Sequence, residues 1–131
     1  MRNILLLTAI LAVFAGASVS LSSCGSGSRN QNSDTLRVNT TGLGADIMGF
    51  NGPTPVEITV VKGVVSEIKA LPNQETPRFM QHVLGSGLLD KLNGLTVKEA
   101  REAGLDAVSG ATYTSRSLIE NIRLGLEQVE K

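Results

Sequence analysis

The chain has 131 residues, and its 12 Lys and Arg are balanced by 12 Asp and Glu. That is the size of one domain, and the neutral balance leaves no basic footprint for nucleic acid. Apolar residues make up 41% and charged ones 18%, which describes a globular chain, while a single Cys and a single His exclude an internal disulfide, a zinc ribbon and a histidine-rich metal centre.

Residues 1–23 read as a bacterial lipoprotein signal peptide. Met1-Arg2-Asn3 is a short cationic start, Ile4 to Ala15 is apolar apart from Thr8, and small residues follow. About a dozen apolar residues are too few for a spanning helix, which needs ~20. Ala15-Gly16-Ala17 offers a site for ordinary signal peptidase. Leu21-Ser22-Ser23-Cys24 resembles a lipobox and accounts for the position of the only Cys, so Cys24 is expected to be lipidated and to open the mature chain. The other reading is a chance Cys in a linker. One acyl chain anchors only marginally, at about 0.8 kcal/mol per buried methylene, whereas two or three hold firmly. The expectation is therefore an exported protein of the bacterial cell envelope, anchored by lipid on a periplasmic or outer face without needing an apolar protein surface.

Residues 24–35 form a tether. Gly25 to Asp34 (GSGSRNQNSD) has no apolar residue, and ten such residues reach on the order of 15–20 Å. The folded domain is expected over 36–131. Leu36 to Thr41 alternates as a strand does, and a short strand from Ala45 to Phe50 fits between the breaks at Gly42-Leu43-Gly44 and Asn51-Gly52-Pro53. Val56, Ile58 and Val60 alternate more strongly. Lys62-Gly63 then separates them from a return strand, Val64 to Leu71, as a tight hairpin, with Val64, Ser66, Ile68 and Ala70 on one face.

Helices follow. Thr76 is placed to cap a helix whose first residue is Pro77. Phe79, Met80, Val83 and Leu84 give it helical spacing before Gly85 and Gly87 interrupt, and Phe79 and His82 read as ordinary core and surface residues. Thr96-Val97-Lys98-Glu99 is a capping-box pattern for a short helix to Ala103, stopped by Gly104. The last helix is the longest, with Leu118, Ile119, Ile122, Leu126 and Val129 on one face. Strands first and helices after define an α+β fold: a small antiparallel sheet packed with helices and closed by a long C-terminal helix.

One segment carries chemistry. Asp106 to Ser115 (DAVSGATYTS) is small and dense in hydroxyls, and it runs into the last helix. Gly110 and Ala111 leave the backbone open to close approach, and the helix start offers unpaired N–H groups and a positive dipole end to a phosphate. Arg116 adds a cation. The plainer reading is that Thr114, Ser115 or Ser117 caps the helix, and Ser117-Leu118-Ile119-Glu120 fits a capping box.

Asp106, Ser109, Gly110, Ala111 and Thr112 match every fixed position of the attachment motif of the FMN-binding domain family, and Tyr113-Thr114-Ser115 continues it. Upstream, Phe50-Asn51-Gly52 and Glu75-Thr76-Pro77 fall in family order, so the resemblance spans roughly Gly42 to Leu126. The chain thus resembles the covalent-FMN domains of the sodium-translocating NADH:quinone reductase C subunit and its Rnf-complex counterpart. It departs from the family at Arg78, where Gly usually follows Glu-Thr-Pro.

The resemblance implies one covalent FMN per chain, joined by a phosphoester to Thr112. A flavin transferase using FAD and Mg²⁺ installs it: the Thr112 hydroxyl attacks the FMN phosphorus and AMP leaves. Gly110 and Ala111 would let the loop enter that enzyme, Asp106 would serve recognition or Mg²⁺, and Ser109, Thr114 and Ser115 complete the cofactor segment. Tyr113, Phe50, Glu75 and Thr76 are the expected ring contacts. No protein metal site is implied. The expected role is an electron carrier or redox subunit, more than a stand-alone enzyme, working with redox partner proteins at the membrane. The alternatives are a flavin-free binding or structural lipoprotein of the same fold and a reversible FMN-binding reductase.

Overall fold

The computed structural model describes residues 34–129, so the signal peptide, Cys24 and the tether to residue 33 lie outside the described residues. Three strands, β1 (Thr35–Asn39), β2 (Val56–Val61) and β3 (Val64–Ala70), form one antiparallel sheet in the order β1-β2-β3. Three helices follow: α1 (Pro77–Gly85), α2 (Val97–Glu102) and α3 (Thr112–Val129), with a 3-10 turn at Leu88–Asp90 between the first two. This is the expected α+β class. Thr35, assigned to the tether by composition, already pairs with Val61. The strand expected over Ala45 to Phe50 is a loop that makes only a bridge between Met48 and Pro53. Gly49 supplies no branched side chain to a ladder there, and the neighbouring Pro53 has no N–H to donate.

The hairpin is as the sequence predicts. Lys62 and Gly63 have φ of 52° and 78°, the left-handed pair that matches strand twist in a two-residue turn. Val56, Ile58 and Val60 are buried on the helix-facing side of β2, with Glu57 and Thr59 half-buried on the other. The inward face of β3 differs from the alternation. Thr59 pairs with Glu67 but Val60 with Val65, so Ser66 is an extra residue in a bulge. Val65 and Ile68 therefore point inward and Ser66 is exposed, which simple period-two reading cannot anticipate. Residues 94–97 cover the free edge at the start of β3, with Val65 N–H donating to the Leu95 carbonyl at 2.8 Å and Val97 N–H to the Gly63 carbonyl at 3.0 Å.

The core is aliphatic. Leu118, Ile122 and Leu126 of α3 are fully buried against Val56 and Ile58 of the sheet, and Met80 and Val83 bring in α1. Ile119 and Val129 only flank this core. Beside the apolar stripe α3 carries a polar one. Thr40 Oγ1 donates to Asn121 Oδ1 at 2.8 Å and accepts from Val56 N–H at 2.9 Å, and Asn121 Nδ2 donates to the Ser117 carbonyl at 3.0 Å. Thr54 and Ser117 hydroxyls share a hydrogen bond. These buried pairs fasten the 40–55 loop to α3. A Cβ at Gly44 would lie 2.0 Å from Asn121 Oδ1. Gly44 is thus the position that admits the buried amide.

Two expectations follow. Gly44→Ala displaces an Asn121 that is bonded on both sides, so we expect a loss of about 1–3 kcal/mol, measured by urea denaturation. At α2 the capping box is present: Thr96 Oγ1 accepts from Glu99 N–H at 3.2 Å, and Thr96 N–H donates to the Glu99 carboxylate at 2.9 Å. Hydrogen bonds from the Thr96 backbone and hydroxyl lower the Glu99 pKa below its ordinary 4.5. A depressed acid stabilises the fold above its unfolded pKa and loses that contribution as pH falls through the folded one. The advantage of wild type over Glu99→Gln should therefore be full above pH 4.5 and fade below it, as chemical denaturation across an acid pH series would show.

Candidate functional site

Helix α3 begins at Thr112, earlier than a cap at Thr114, Ser115 or Ser117 requires. All three lie inside the helix and are buried, so the capping alternative is corrected. Their hydroxyls serve other ends. Ser115 Oγ accepts from Val108 N–H at 2.9 Å and donates to the Ala111 carbonyl at 2.8 Å, which folds the preceding loop onto the helix start. Ala111 N–H donates to the Val108 carbonyl at 3.0 Å, and Gly110 completes the turn at φ 88°, a conformation open to glycine and strained for other residues.

Thr114 Oγ1 donates to the buried carboxylate of Glu75. The other Glu75 oxygen accepts the Asn51 N–H, and a Cβ at Gly49 would come within 2.9 Å of that oxygen. The Glu75 N–H is itself held by Asn73 Oδ1 at 3.0 Å, and Asn51 Nδ2 reaches Thr76 Oγ1 at 3.4 Å. Thr76 therefore does not cap α1 with its side chain; its carbonyl accepts from Phe79 and Met80 instead. Glu75 and Thr76, expected to touch a ring, brace the turn that carries Phe50.

That turn forms one wall of a pocket of about 280 Å³ lined by Phe50, Phe79 and residues 110–114. The Phe50 and Phe79 rings meet edge to face, with centroids 5.0 Å apart, a favourable arrangement for two quadrupoles. Phe50 and Tyr113 are exposed by 57% and 66%, so much aromatic surface is left open at the rim. Phe79, read as core from its spacing, does pack on the core, and it also lines the pocket. Its place two residues after the Glu75-Thr76-Pro77 motif was the available signal. The Arg78 guanidinium lies over the Phe79 ring at 5.1 Å, where the family's usual Gly would place nothing. Asp106 is exposed and outside the pocket lining. The Ser109 carbonyl accepts from His82 Nε2 at 2.8 Å.

Thr112 differs from the Thr and Ser hydroxyls that follow it. Among the described residues its Oγ1 has no hydrogen-bond partner, whereas Thr114, Ser115 and Ser117 are all engaged. Thr112 is half-buried and lines the pocket. The amides of Thr112, Tyr113 and Thr114 precede the first intrahelical bond, which Ser115 N–H makes to the Ala111 carbonyl at 2.9 Å, and they point to the same end. Free amides and a free hydroxyl beside an aromatic wall suit a ligand that is anionic at one end and flat and aromatic at the other. Among the described residues no three His, Cys, Asp or Glu side chains are grouped to hold a metal ion.

The chain belongs to the FMN-binding domain family, whose model matches residues 49–127, more than half of the sequence. The match includes the Phe50 turn, Glu75-Thr76, the 106–115 segment and nearly all of α3. No curated protein matches the chain.

The two threonines of the pocket should separate in stability. Thr114→Val leaves the Glu75 carboxylate short of a buried donor and should cost about 1–3 kcal/mol. Thr112→Val removes a hydroxyl without a partner and should stay within about 0.5 kcal/mol of wild type. Urea denaturation of both variants reads the difference.

Proposed function

We propose that this protein is a lipid-anchored electron-transfer protein of the cell envelope that carries FMN on Thr112 through a phosphoester. Family membership supports FMN as the ligand. The observation that carries the covalent reading is the Thr112 hydroxyl, without a hydrogen-bond partner among the described residues, on the lining of an aromatic pocket whose other threonine, Thr114, is bound to Glu75.

The residues fit the group. The amides at the start of α3 would bind a phosphate on Thr112, while Phe50, Phe79 and Tyr113 would offer surface to a flat ring. Bound FMN would supply one- and two-electron transfer. The chain's own part is to hold that ring and keep it from diffusing away. A Thr hydroxyl is a weak nucleophile without a base, and the nearest buried carboxylate, Glu75, is occupied by Asn51 and Thr114. Modification by a separate flavin transferase, with FAD and Mg²⁺, fits that arrangement. Cys24 would supply the anchor, and the exposed aromatic rim would bring the ring within reach of redox partners at the membrane.

The full chain coexpressed with a flavin transferase should give a band that fluoresces under ultraviolet light on a denaturing gel. Thr112→Ser should keep the band and Thr112→Ala should lose it, with peptide mapping placing the added mass on Thr112. Flavin released by denaturation would instead make the protein a reversible FMN binder, and absence of flavin would leave a flavin-free lipoprotein. Either result overturns the covalent reading. Intact mass should show the acylated form starting at Cys24, and Cys24→Ala should retain the signal peptide or shift its cleavage.

A further inference from the structure

The 106–111 segment is braced from two sides. From within, Ser115 joins Val108 to Ala111. From outside, the side chain that binds it is His82 of α1, whose Nε2 lies 2.8 Å from the Ser109 carbonyl oxygen. A carbonyl oxygen only accepts, so Nε2 carries the proton in this bond. The same ring abuts the next residue: a Cβ at Gly110 would sit 3.6 Å from His82 Nε2. His82 therefore bonds one residue of the Ser109-Gly110 turn and packs on the other.

The fold does not need this bond. His82 is exposed, and α1 is held to the core by Met80 and Val83. Phe79 and Gly110 line both the Thr112 pocket and a second hollow, whose other lining residues are Arg78 and His82. The bond acts locally, on the turn two residues ahead of the α3 start.

We propose that His82 is a positioning residue for the modification of Thr112. Its Nε2–H holds the Ser109-Gly110 turn in the shape that presents the helix start, so an approaching flavin transferase meets an ordered segment. The inference rests on the reading of Thr112 as the attachment point. A segment ordered beforehand loses less conformational entropy on docking, so His82 acts on recognition of the chain and not on the transfer. In the transfer, Thr112 Oγ bonds to the FMN phosphorus of FAD and the phosphorus–oxygen bond to AMP breaks. AMP leaves, and the hydroxyl proton passes to a base of the transferase.

The test uses the full chain made in a host without flavin transferase and purified in detergent, then labelled with FAD, Mg²⁺ and a bacterial flavin transferase at varied chain concentration. His82→Ala should raise KM for the chain about three- to tenfold, the range of one net hydrogen bond, with kcat within about twofold. His82→Gln places an amide N–H the same number of bonds from Cα and should restore KM. A flavin-independent readout accompanies it: in His82→Ala the Ala111 amide should exchange its hydrogen faster by about the same factor, with no comparable change at core amides of β2. Equal KM in wild type and His82→Ala, both labelled on Thr112, overturns the inference and leaves the proposed function standing. Unchanged exchange at Ala111 overturns it too. A wild-type chain that never takes flavin overturns the proposed function, and the inference with it.

Discussion

The buried carboxylate of Glu75 is the tie on which the site depends. One oxygen takes the Asn51 amide and the other the Thr114 hydroxyl, so three segments distant in sequence meet at one group. A buried carboxylate without partners is costly to keep from water, and hydrogen bonds to charged groups are among the stronger ones. The arrangement therefore holds as a unit. It sets the Phe50 turn against the first turn of α3, and the space between them is the pocket. The closeness of Gly49 to the same carboxylate shows how little room the turn has to shift.

The same logic runs down α3. Its apolar stripe of Leu118, Ile122 and Leu126 seals the sheet, while the adjacent stripe of Thr114, Ser117 and Asn121 binds the loops that the sheet leaves behind. A helix with two buried stripes has little freedom to rotate or slide, because a shift unpairs several buried polar groups together. Its N-terminus is then a fixed point, and the hydroxyl at that point is left unbound. Structural hydroxyls and the candidate acceptor thus share one helix turn, separated by which way each side chain faces.

Much of this was legible in the residues. The alternation of Val56, Ile58 and Val60, the Lys62-Gly63 turn and the Thr96–Glu99 box are local patterns, and local backbone preference decides them. The bulge at Ser66 was not legible, because one extra residue exchanges inward and outward faces without any mark of its own. The start of α3 was misplaced by the capping alternative for a related reason. Thr114, Ser115 and Ser117 have the chemistry of caps, but distant partners claim their hydroxyls: Glu75, the Val108 amide and Thr54. Phe79 looked ordinary for the same cause, since its place in the pocket comes from what lies across from it.

By itself the sequence determined the class of fold and the order of most of its elements, because short-range spacing and backbone chemistry carry those properties, and its motifs marked the family. Only the tertiary structure decided which Ser and Thr hydroxyls are engaged, that Glu75 joins Asn51 to Thr114, and that His82 reaches the Ser109 carbonyl. Hydrogen bonds between residues such as Glu75 and Thr114, or His82 and Ser109, depend on three-dimensional approach, and no local pattern encodes the distance between them.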